Sequence, residues 1–326
     1  MPKVSIIIPT YNAVNYFEEC LYSLINQTLK EIEIIVVLDC PTDGTDFIAE
    51  KYREKDTRIK VVRNKVNLHC GLSRNVGMQY VTGDYVGFCD ADDWVKPNMY
   101  ELLYHKAIEE NAEIVRCNVF RYKNGKQIDY LKFPELTPEQ LIHLKDVAIG
   151  EIMKQNRICG IVNNHLFRTD FIKKHNLFFF DSKKMISEDR KFLYQAYLVA
   201  NKLALVSEPL YYYRENPESI VHSIEHCNPK KASLFFENLK HWLLEENIFD
   251  KYQDCYLEGF LRVIYSDFRF ILRHTSLKKA FLETCLIKKN QVMHENINQL
   301  MKFRRFFYFL RVKPTAILLL LLAKIV

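Results

Sequence analysis

The chain has 326 residues, of which 48% are hydrophobic and 13% aromatic, so it can bury a large core and is not a disordered chain. Its length suits one large domain with an extension. From Asn296 onward there are six basic residues and no acidic one, which accounts for the whole net charge of +6. A neutral body with a basic end excludes the basic face of a nucleic-acid-binding fold.

Nine cysteines are scattered without a Cys-x-x-Cys pair. Their odd number and apolar neighbours predict reduced thiols in a cytosolic protein. The first residues, Met-Pro-Lys-Val-Ser, run directly into an apolar strand, so no signal peptide is expected. We therefore expect a cytoplasmic protein.

Short apolar runs rich in β-branched residues alternate with helical segments in the first part of the chain. This alternation predicts an α/β fold with a mostly parallel, Rossmann-like sheet flanked by helices. The first half is expected to have strands at 4–8, 32–38, 59–63 and 85–89, and helices at 16–26, 45–55 and 72–80.

The pattern continues with a helix, a hairpin and further helices. The turn Lys123-Asn-Gly-Lys126 is typical of a two-residue hairpin loop. After Asn228-Pro229 only helical periodicity remains. The expected elements are a helix at 97–113, strands at 114–122 and 128–133, helices and loops at 135–165, a helix at 191–200, a strand at 203–206, and helices at 231–246, 250–274 and 277–289.

Three carboxylates follow the strand at 85–89: Asp90, Asp92 and Asp93. Carboxylates crowded at the end of a buried strand repel one another unless a cation lies between them. Asp90 and Asp92 are two residues apart and could share one ion, and oxygen-only ligands suit Mg²⁺ or Mn²⁺. The alternative is an acidic turn in which Asp93 is the N-cap of the next helix.

Polar segments also follow the first two strands, at Pro9–Asn12 and Asp39–Thr45. In parallel sheets, ligands bind at the carboxyl ends of the strands. These two segments and Asp90–Asp93 should therefore converge on one crevice.

Four segments together resemble glycosyltransferase family 2, which has the GT-A fold. The resemblance covers about residues 1 to 222 and implies an inverting transfer from a nucleotide-sugar with a divalent metal. One departure is Cys40-Pro41, which replaces part of the family's usual Asp-Asp-Gly-Ser. The segments are Pro9-Thr-Tyr-Asn12, Asp39 with Asp43-Gly-Thr45, Gly71-Leu-Ser-Arg-Asn-Val-Gly77 and Asp90-Ala-Asp-Asp93.

The resemblance implies roles for individual residues. Tyr11 could stack on the base, Arg74 would lie near the diphosphate, and Arg214 could neutralise the leaving group. Each of these residues could also have a purely structural role: packing for Tyr11, a helix cap for Asp39, a surface salt bridge for Arg74, and a surface position for His222. His69 is expected to be a loop histidine without a role in the site. The donor nucleotide would be bound by Pro9, Tyr11, Asp39, Asn67, Arg74, Asp90, Ala91 and Arg214, and the metal by Asp92, Asp90 and His222.

Glu188 and Asp189 stand at the start of a predicted helix, where the helix dipole favours a charged carboxylate. In the family this pair supplies the catalytic base. A positioned carboxylate can take the proton of an acceptor hydroxyl as it attacks the anomeric carbon. Asp189 is the expected base and Glu188 its orienting neighbour, and simple N-capping is the alternative.

The resemblance divides the chain into two predicted domains. Residues 1–225 would form the catalytic domain, with 1–95 as the nucleotide-binding half and 96–225 as the acceptor-binding half; 226–326 would be an all-helical extension. The basic and aromatic tail, 303–323, has eight apolar residues before Lys324, too few to span a bilayer. It suits an anchor on the cytoplasmic face of the membrane, with burial in a homodimer as the alternative.

The expected function is transfer of a hexosyl or N-acetylhexosaminyl group from a UDP-sugar, with Mn²⁺ or Mg²⁺. The expected acceptor is a saccharide or lipid-linked saccharide, in surface polysaccharide or lipooligosaccharide biosynthesis. One alternative is an inactive nucleotide-binding or scaffolding relative. A sugar nucleotidyltransferase is disfavoured because Pro9–Asn12 lacks the Gly-rich, basic loop that it would need.

Overall fold

The computed structural model describes residues 1–131, 161–184, 188–215, 229–254, 256–257 and 259–260. Strands and helices alternate through the first part of the chain, as predicted. The strands of these residues are β1 (Val4–Thr10), β2 (Ile32–Leu38), β3 (Ile59–Arg63), β4 (Tyr85–Phe88), β5 (Trp94–Val95), β6 (Ile114–Lys123), β7 (Lys126–Leu131), β8 (His165–Arg168) and β9 (Leu203–Arg214). The helices are α1 (Phe17–Ile25), α2 (Thr45–Lys55), α3 (His69–Met78), α4 (Met99–Glu109), α5 (Thr169–Lys174), α6 (Glu188–Val199) and α7 (Pro229–Glu245).

In this described part of the chain, nine strands form one sheet in the order β3-β2-β1-β4-β8-β6-β9-β5, with β7 paired to β6. The first four strands pair in parallel. β8 runs antiparallel between β4 and β6. β9 pairs in parallel with β6 and antiparallel with β5. The predicted α/β sheet flanked by helices is confirmed, and its parallel pairing is concentrated in the first half.

All seven residues of β1 and all seven of β2 are buried. Alternate residues of β1, such as Ile6 and Ile8, belong to the core that includes Phe17 of α1. Ile7 points the other way, toward α3, where a Cβ added to Gly77 would lie 2.5 Å from Ile7 Cγ2. Helices thus cover both faces of these strands, which is why their sequences are continuously apolar.

Helix α3 begins at His69, three residues before the predicted start at 72. The cause is Asp39, which follows β2. Its carboxylate accepts hydrogen bonds from the backbone N–H groups of Leu68 and His69, each at 2.7 Å. These donors are among the first N–H groups of a helix, which have no partner within the helix itself.

Two other segments differ from the prediction. Asp93 is not the N-cap of the next helix, because Trp94–Val95 form β5 and α4 begins after Asn98. The strand predicted at 203–206 continues to Arg214. Pro209 is accommodated because it lies opposite Asn118, where the register between β6 and β9 shifts.

The β6–β7 hairpin is confirmed. Asn124 and Gly125 have φ angles of 51° and 75°, the left-handed conformation that a two-residue hairpin loop requires. The predicted helix at 97–113 is shorter, since α4 ends at Glu109 and Asn111 takes φ 49°.

The chain divides into two compact units. The described residues up to 183 and from 188 to 215 belong to the first unit, which contains the sheet. The described residues from 229 onward, with Lys184, belong to the second. Within it, Phe236 of α7 packs on Phe260 at 5.3 Å between ring centroids and on Tyr256 at 5.6 Å.

Several predicted segments lie outside the described residues: most of 135–165, the helix at 277–289, the tail at 303–323 and His222. Among the helices that the structure describes, none is both long and apolar enough to cross a membrane.

Candidate active site

The carboxyl ends of β1, β2 and β4 lie side by side, as the parallel register requires. Thr10 pairs with Leu38, and Ile7 pairs with Phe88. The residues that follow these strands therefore meet at one edge of the sheet. This edge collects most of the side chains that the sequence singles out.

The segment Asp90–Asp93 follows β4, and its three carboxylates have different surroundings. Asp90 is 29% exposed and can face a ligand. Burial, together with the negative charge of Asp90, raises the pKa of Asp92 to about 6. The nearby positive charge of Arg214 lowers this pKa only in part.

Asp93 is buried and serves the structure of this edge. Its carboxylate accepts hydrogen bonds from the Tyr211 hydroxyl (2.5 Å) and from the Arg214 backbone N–H (2.7 Å). Burial raises its pKa well above the usual range, and the charges of Asp92 and Asp90 raise it further. Asp93 therefore ties this segment to β9.

The Tyr211 hydroxyl is a junction that the sequence analysis missed. It also accepts hydrogen bonds from Asn163 Nδ2 (3.0 Å) and from the Asp90 backbone N–H (3.2 Å). The sequence analysis identified Arg214 in this strand, but nothing in the local pattern distinguishes Tyr211 from its tyrosine neighbours.

Arg74, from α3, is buried and lies at the centre of an ionic cluster. Its Nη2 donates to Asp90 Oδ1 at 2.8 Å, while its Nη1 contacts Asp189 Oδ1 and lies 3.5 Å from Glu188 Oε1. The structure thus brings together three of the predicted functional carboxylates around one guanidinium. Glu188 and Asp189 lie in the first turn of α6, which begins three residues before the helix predicted at 191–200.

The surroundings of Asp189 suit proton transfer. Burial raises the pKa of Asp189; Arg74 opposes that rise, and Glu188 and Asp90 add to it. A carboxylate with a raised pKa is a better proton acceptor near neutral pH than an ordinary aspartate.

Asp39 is 2% exposed and organises the loop before α3. Besides the two backbone donors already described, Asn64 Nδ2 donates to its Oδ1 at 2.7 Å. A carboxylate offers about four acceptor sites. The three bonds found among the described residues leave one site on Oδ2.

The remaining predicted donor contacts line the same edge. Tyr11 is 50% exposed just after β1, whereas Pro9 is buried within that strand. Ala91 is 7% exposed beside Asp90. Asn67 is partly exposed, and its side chain accepts the His69 N–H at 3.2 Å.

Arg214 lies beside Asp92 in an aromatic setting. Its guanidinium donates to the Asp92 carbonyl oxygen (2.8 Å) and to Glu19 (2.6 Å). It also lies 4.5 Å from the centroid of the Trp94 ring. With 17% of its side chain exposed, Arg214 can reach solvent at this edge only in part.

Within the described part of the chain, no group of three or more His, Cys, Asp or Glu side chains is placed to hold a metal ion. Asp90 and Asp92 could still hold a metal ion with only two protein carboxylates. Mg²⁺ and similar ions are often held by one or two carboxylates plus the phosphates of a substrate. The raised pKa of Asp92 is the mark of a carboxylate that a cation would stabilise.

Comparison with curated proteins places the chain among glycosyltransferases. Uncharacterized glycosyltransferase EpsJ of Bacillus subtilis (strain 168) is 35% identical over 68% of this chain and 63% of its own. Poly(ribitol-phosphate) beta-N-acetylglucosaminyltransferase TarS of Staphylococcus aureus (strain MW2) is 30% identical over 80% of this chain and 44% of its own. The chain thus spans less than two thirds of the length of either relative.

Solved structures share the GT-A fold. Staphylococcus aureus TarS 1-349 in complex with UDP-GlcNAc superposes with a TM-score of 0.59 at 23% identity, covering 90% of this chain and 87% of that one. Mannosyltransferase PcManGT from Pyrobaculum calidifontis, in complex with GDP-Man and Mn²⁺, gives 0.54 at 14% identity, covering 99% and 86%. The family model described as Glycosyl transferase family 2 matches residues 5–180, more than half of the chain. The protein belongs to glycosyl transferase family 2.

Proposed function

We propose that the protein transfers a sugar from a UDP-sugar to a hydroxyl group of a saccharide or lipid-linked saccharide, with inversion at the anomeric carbon. The transferred group is a hexosyl or N-acetylhexosaminyl group. TarS, which is bound to UDP-GlcNAc in its structure and is named a beta-transferase, supports both the UDP donor and inversion. An α-linked donor that gives a β-linked product has inverted that carbon.

One observation carries the proposal: Asp90 and Asp189 contact the same guanidinium, that of Arg74. The carboxylate proposed for the donor side and the one proposed as base are therefore neighbours. In a direct displacement, the attacking oxygen and the leaving diphosphate must bind on opposite sides of one carbon, so both groups need to lie close together.

Asp189 acts as the general base in this mechanism. Its carboxylate accepts the proton of the acceptor hydroxyl while that oxygen forms a bond to the anomeric carbon. The bond between this carbon and the diphosphate oxygen breaks, and the diphosphate leaves with the electron pair. Glu188, one residue earlier on α6, orients Asp189 or the acceptor.

Asp90 and Asp92, together with the diphosphate of the donor, would hold Mn²⁺ or Mg²⁺; His222, outside the described residues, stays a predicted third ligand. Such an ion neutralises the charge that develops on the leaving diphosphate. PcManGT, a fold neighbour solved with Mn²⁺, supports this assignment.

The donor nucleotide is proposed to bind along the edge formed by Pro9, Tyr11, Asn67 and Ala91. The exposed ring of Tyr11 can stack on a base. The free acceptor site on Asp39 Oδ2 suits an N–H of the base. Arg214, partly exposed beside Asp92, stays a predicted contact of the leaving group.

The test uses a panel of UDP-sugars with saccharide acceptors, with release of UDP as the signal, and the variant Asp189→Asn. Removing the base should lower transfer by about 10²–10⁴-fold. Binding of UDP in the presence of Mn²⁺, measured by calorimetry, should change by less than about threefold, because Asp189 is not proposed to contact the nucleotide.

The matched control is Asp170→Asn, which changes an exposed carboxylate in the first turn of α5. It should leave transfer unchanged. If Asp189→Asn transferred sugar at the wild-type rate, the assignment of the base would be refuted. Binding of GDP instead of UDP would overturn the donor and keep the enzyme class.

We further propose the domain organisation predicted from the sequence. Residues 1–225 form the catalytic domain, with a nucleotide-binding half at 1–95 and an acceptor-binding half at 96–225, and residues 226–326 form a helical extension. The protein would act in the cytoplasm, in surface polysaccharide or lipooligosaccharide biosynthesis. The basic and aromatic segment 303–323 supports an association with the inner face of the membrane. Co-sedimentation with anionic and with neutral vesicles tests it, and a dimer in solution without vesicle binding would favour the alternative.

A further inference from the structure

We propose that Arg74 is a positioning residue, which holds the base Asp189 and the donor-side carboxylate Asp90 in a fixed relation, and not a ligand of the diphosphate. The inference rests on the proposed function, because it assumes that these two carboxylates act in one reaction. It replaces the role that the sequence suggested for Arg74, which was contact with the diphosphate.

The exposed fractions of the four side chains show how they are layered. Arg74 is 1% exposed, whereas Asp90, Glu188 and Asp189 are 29%, 16% and 19% exposed. The carboxylates thus line the solvent-accessible surface and the guanidinium lies beneath them. A diphosphate that approached from solvent would meet the carboxylates before it could reach Arg74.

The hydrogen bonds use different arms of the guanidinium. Nη2 pairs with Asp90, which follows β4, and Nη1 contacts Asp189 and Glu188, which begin α6. A guanidinium is planar and rigid, so its two arms fix the separation of the groups that they bind. Asp90 and Asp189, nearly 100 positions apart in the chain, are thereby held at a fixed separation.

Arg74 also contacts an aromatic ring. Its Cζ atom lies 5.2 Å from the centroid of the Phe179 ring, which stacks on Phe192 of α6 at 4.2 Å. The Asn75 side chain makes two hydrogen bonds with the backbone of Phe179. Its Oδ1 accepts from the Phe179 N–H at 2.8 Å, and its Nδ2 donates to the Phe179 carbonyl oxygen at 2.7 Å. A movement of the guanidinium would therefore also change its contact with the Phe179 ring.

The charges agree with this arrangement. Three carboxylates close together repel one another, and a buried cation reduces that repulsion without occupying the open side where substrates bind. Lysine would keep the positive charge but would present a single ammonium group in place of two arms. The substitution Arg74→Lys thus separates charge from geometry.

The experiment measures steady-state transfer and UDP binding for Arg74→Lys, Asp189→Asn and the double variant. For Arg74→Lys we expect kcat to fall by about 100-fold, the usual effect of displacing a catalytic group by about 1 Å. UDP binding with Mn²⁺ should change by less than about threefold, because lysine keeps a positive charge beside Asp90, the carboxylate proposed to hold the metal. In the Asp189→Asn background, Arg74→Lys should lower the residual rate by less than about threefold, because residues that act as one unit are non-additive.

The matched control is Arg116→Lys. Arg116 is also 1% exposed but lies on β6, where it contacts the Tyr197 hydroxyl at 3.4 Å. It should lower the melting temperature and leave kcat within about twofold, which separates a loss of packing from a loss of positioning.

Two outcomes would overturn the inference while the proposed function stood. One is a tenfold or greater weakening of UDP binding by Arg74→Lys with kcat preserved, which would make Arg74 a diphosphate ligand. The other is a full 100-fold loss in the Asp189→Asn background, which would mean that Arg74 acts independently of the base. A wild-type protein that transferred no sugar from any donor of the panel would refute the proposed function itself, and the inference with it.

Discussion

Replacing Tyr211 by Phe removes one hydroxyl group from the centre of the edge that carries Asp90–Asp93. That hydroxyl donates to Asp93 and accepts from Asn163 and from the Asp90 N–H, and the Tyr211 side chain is fully buried. The substitution leaves the ring in place, so the loss is confined to hydrogen bonding.

The expected loss in the free energy of unfolding is about 3 kcal/mol. A buried polar group that loses its partner costs roughly 1–3 kcal/mol, and this substitution affects Asp93, Asn163 and the Asp90 N–H together. The costs are not additive, because a water molecule could enter the space and rebind some of the groups. A loss of this size lowers the melting temperature by roughly 6–12 °C for a domain of this length.

The assay is urea unfolding followed by circular dichroism, with the melting temperature as a second measure. Tyr212→Phe is the control, since the neighbouring ring stacks on Trp94 at 4.9 Å and the substitution keeps that contact. The control should change stability by less than about 0.5 kcal/mol. A loss below about 1 kcal/mol for Tyr211→Phe would refute the argument that its hydroxyl holds this edge together.

Two further predictions concern the stability of the sheet. His165 is fully buried, and burial, helped by the charge of Arg116, lowers its pKa to about 3. The unfolded chain, with a histidine pKa of about 6.5, binds the proton first as the pH falls, so the native state should lose roughly 2 kcal/mol between about pH 6.5 and pH 4.5 through this group. Urea unfolding at both values should show a smaller loss for His165→Gln, and an equal loss would contradict the assignment. Gly77→Ala should lower the free energy of unfolding by about 1–2 kcal/mol. The added Cβ would lie 2.5 Å from Ile7 Cγ2 and 3.2 Å from Val37 Cγ2, and this overpacking outweighs the gain in helix propensity. An unchanged urea midpoint would show that β1 shifts to accommodate the methyl group.

The local pattern was enough to predict the parallel half of the sheet and most of its helices. β1 and β2 are buried on both faces, and this produces the apolar runs that identify them. The start of α3 could not be predicted in the same way, since Asp39, about 30 residues earlier, satisfies its first N–H groups. The residues around the start of α3 do not include Asp39, so their pattern cannot reveal this partner.

In the candidate site, too, the local pattern predicted some features, and others depend on contacts between distant parts of the chain. The positions of Asp90, Asp189 and Glu188 were predictable because each follows a strand or begins a helix. The contact of Arg74 with all three was not, since it depends on how α3 packs against α6. For the same reason the sequence suggested a surface salt bridge or a diphosphate contact for a side chain that is buried.

The position of β8 in the sheet has a consequence for how the chain folds as it is synthesised. β4 pairs with β1 on one side and with β8 on the other, and β8 ends roughly 80 residues after β4 in the chain. At ~5–20 residues per second, the ribosome needs roughly 4–16 s to make that stretch. During this interval the nascent first half has an open strand edge at β4, which can pair with other chains. Until β8 has been made, the growing chain therefore carries a strand edge that the folded protein covers.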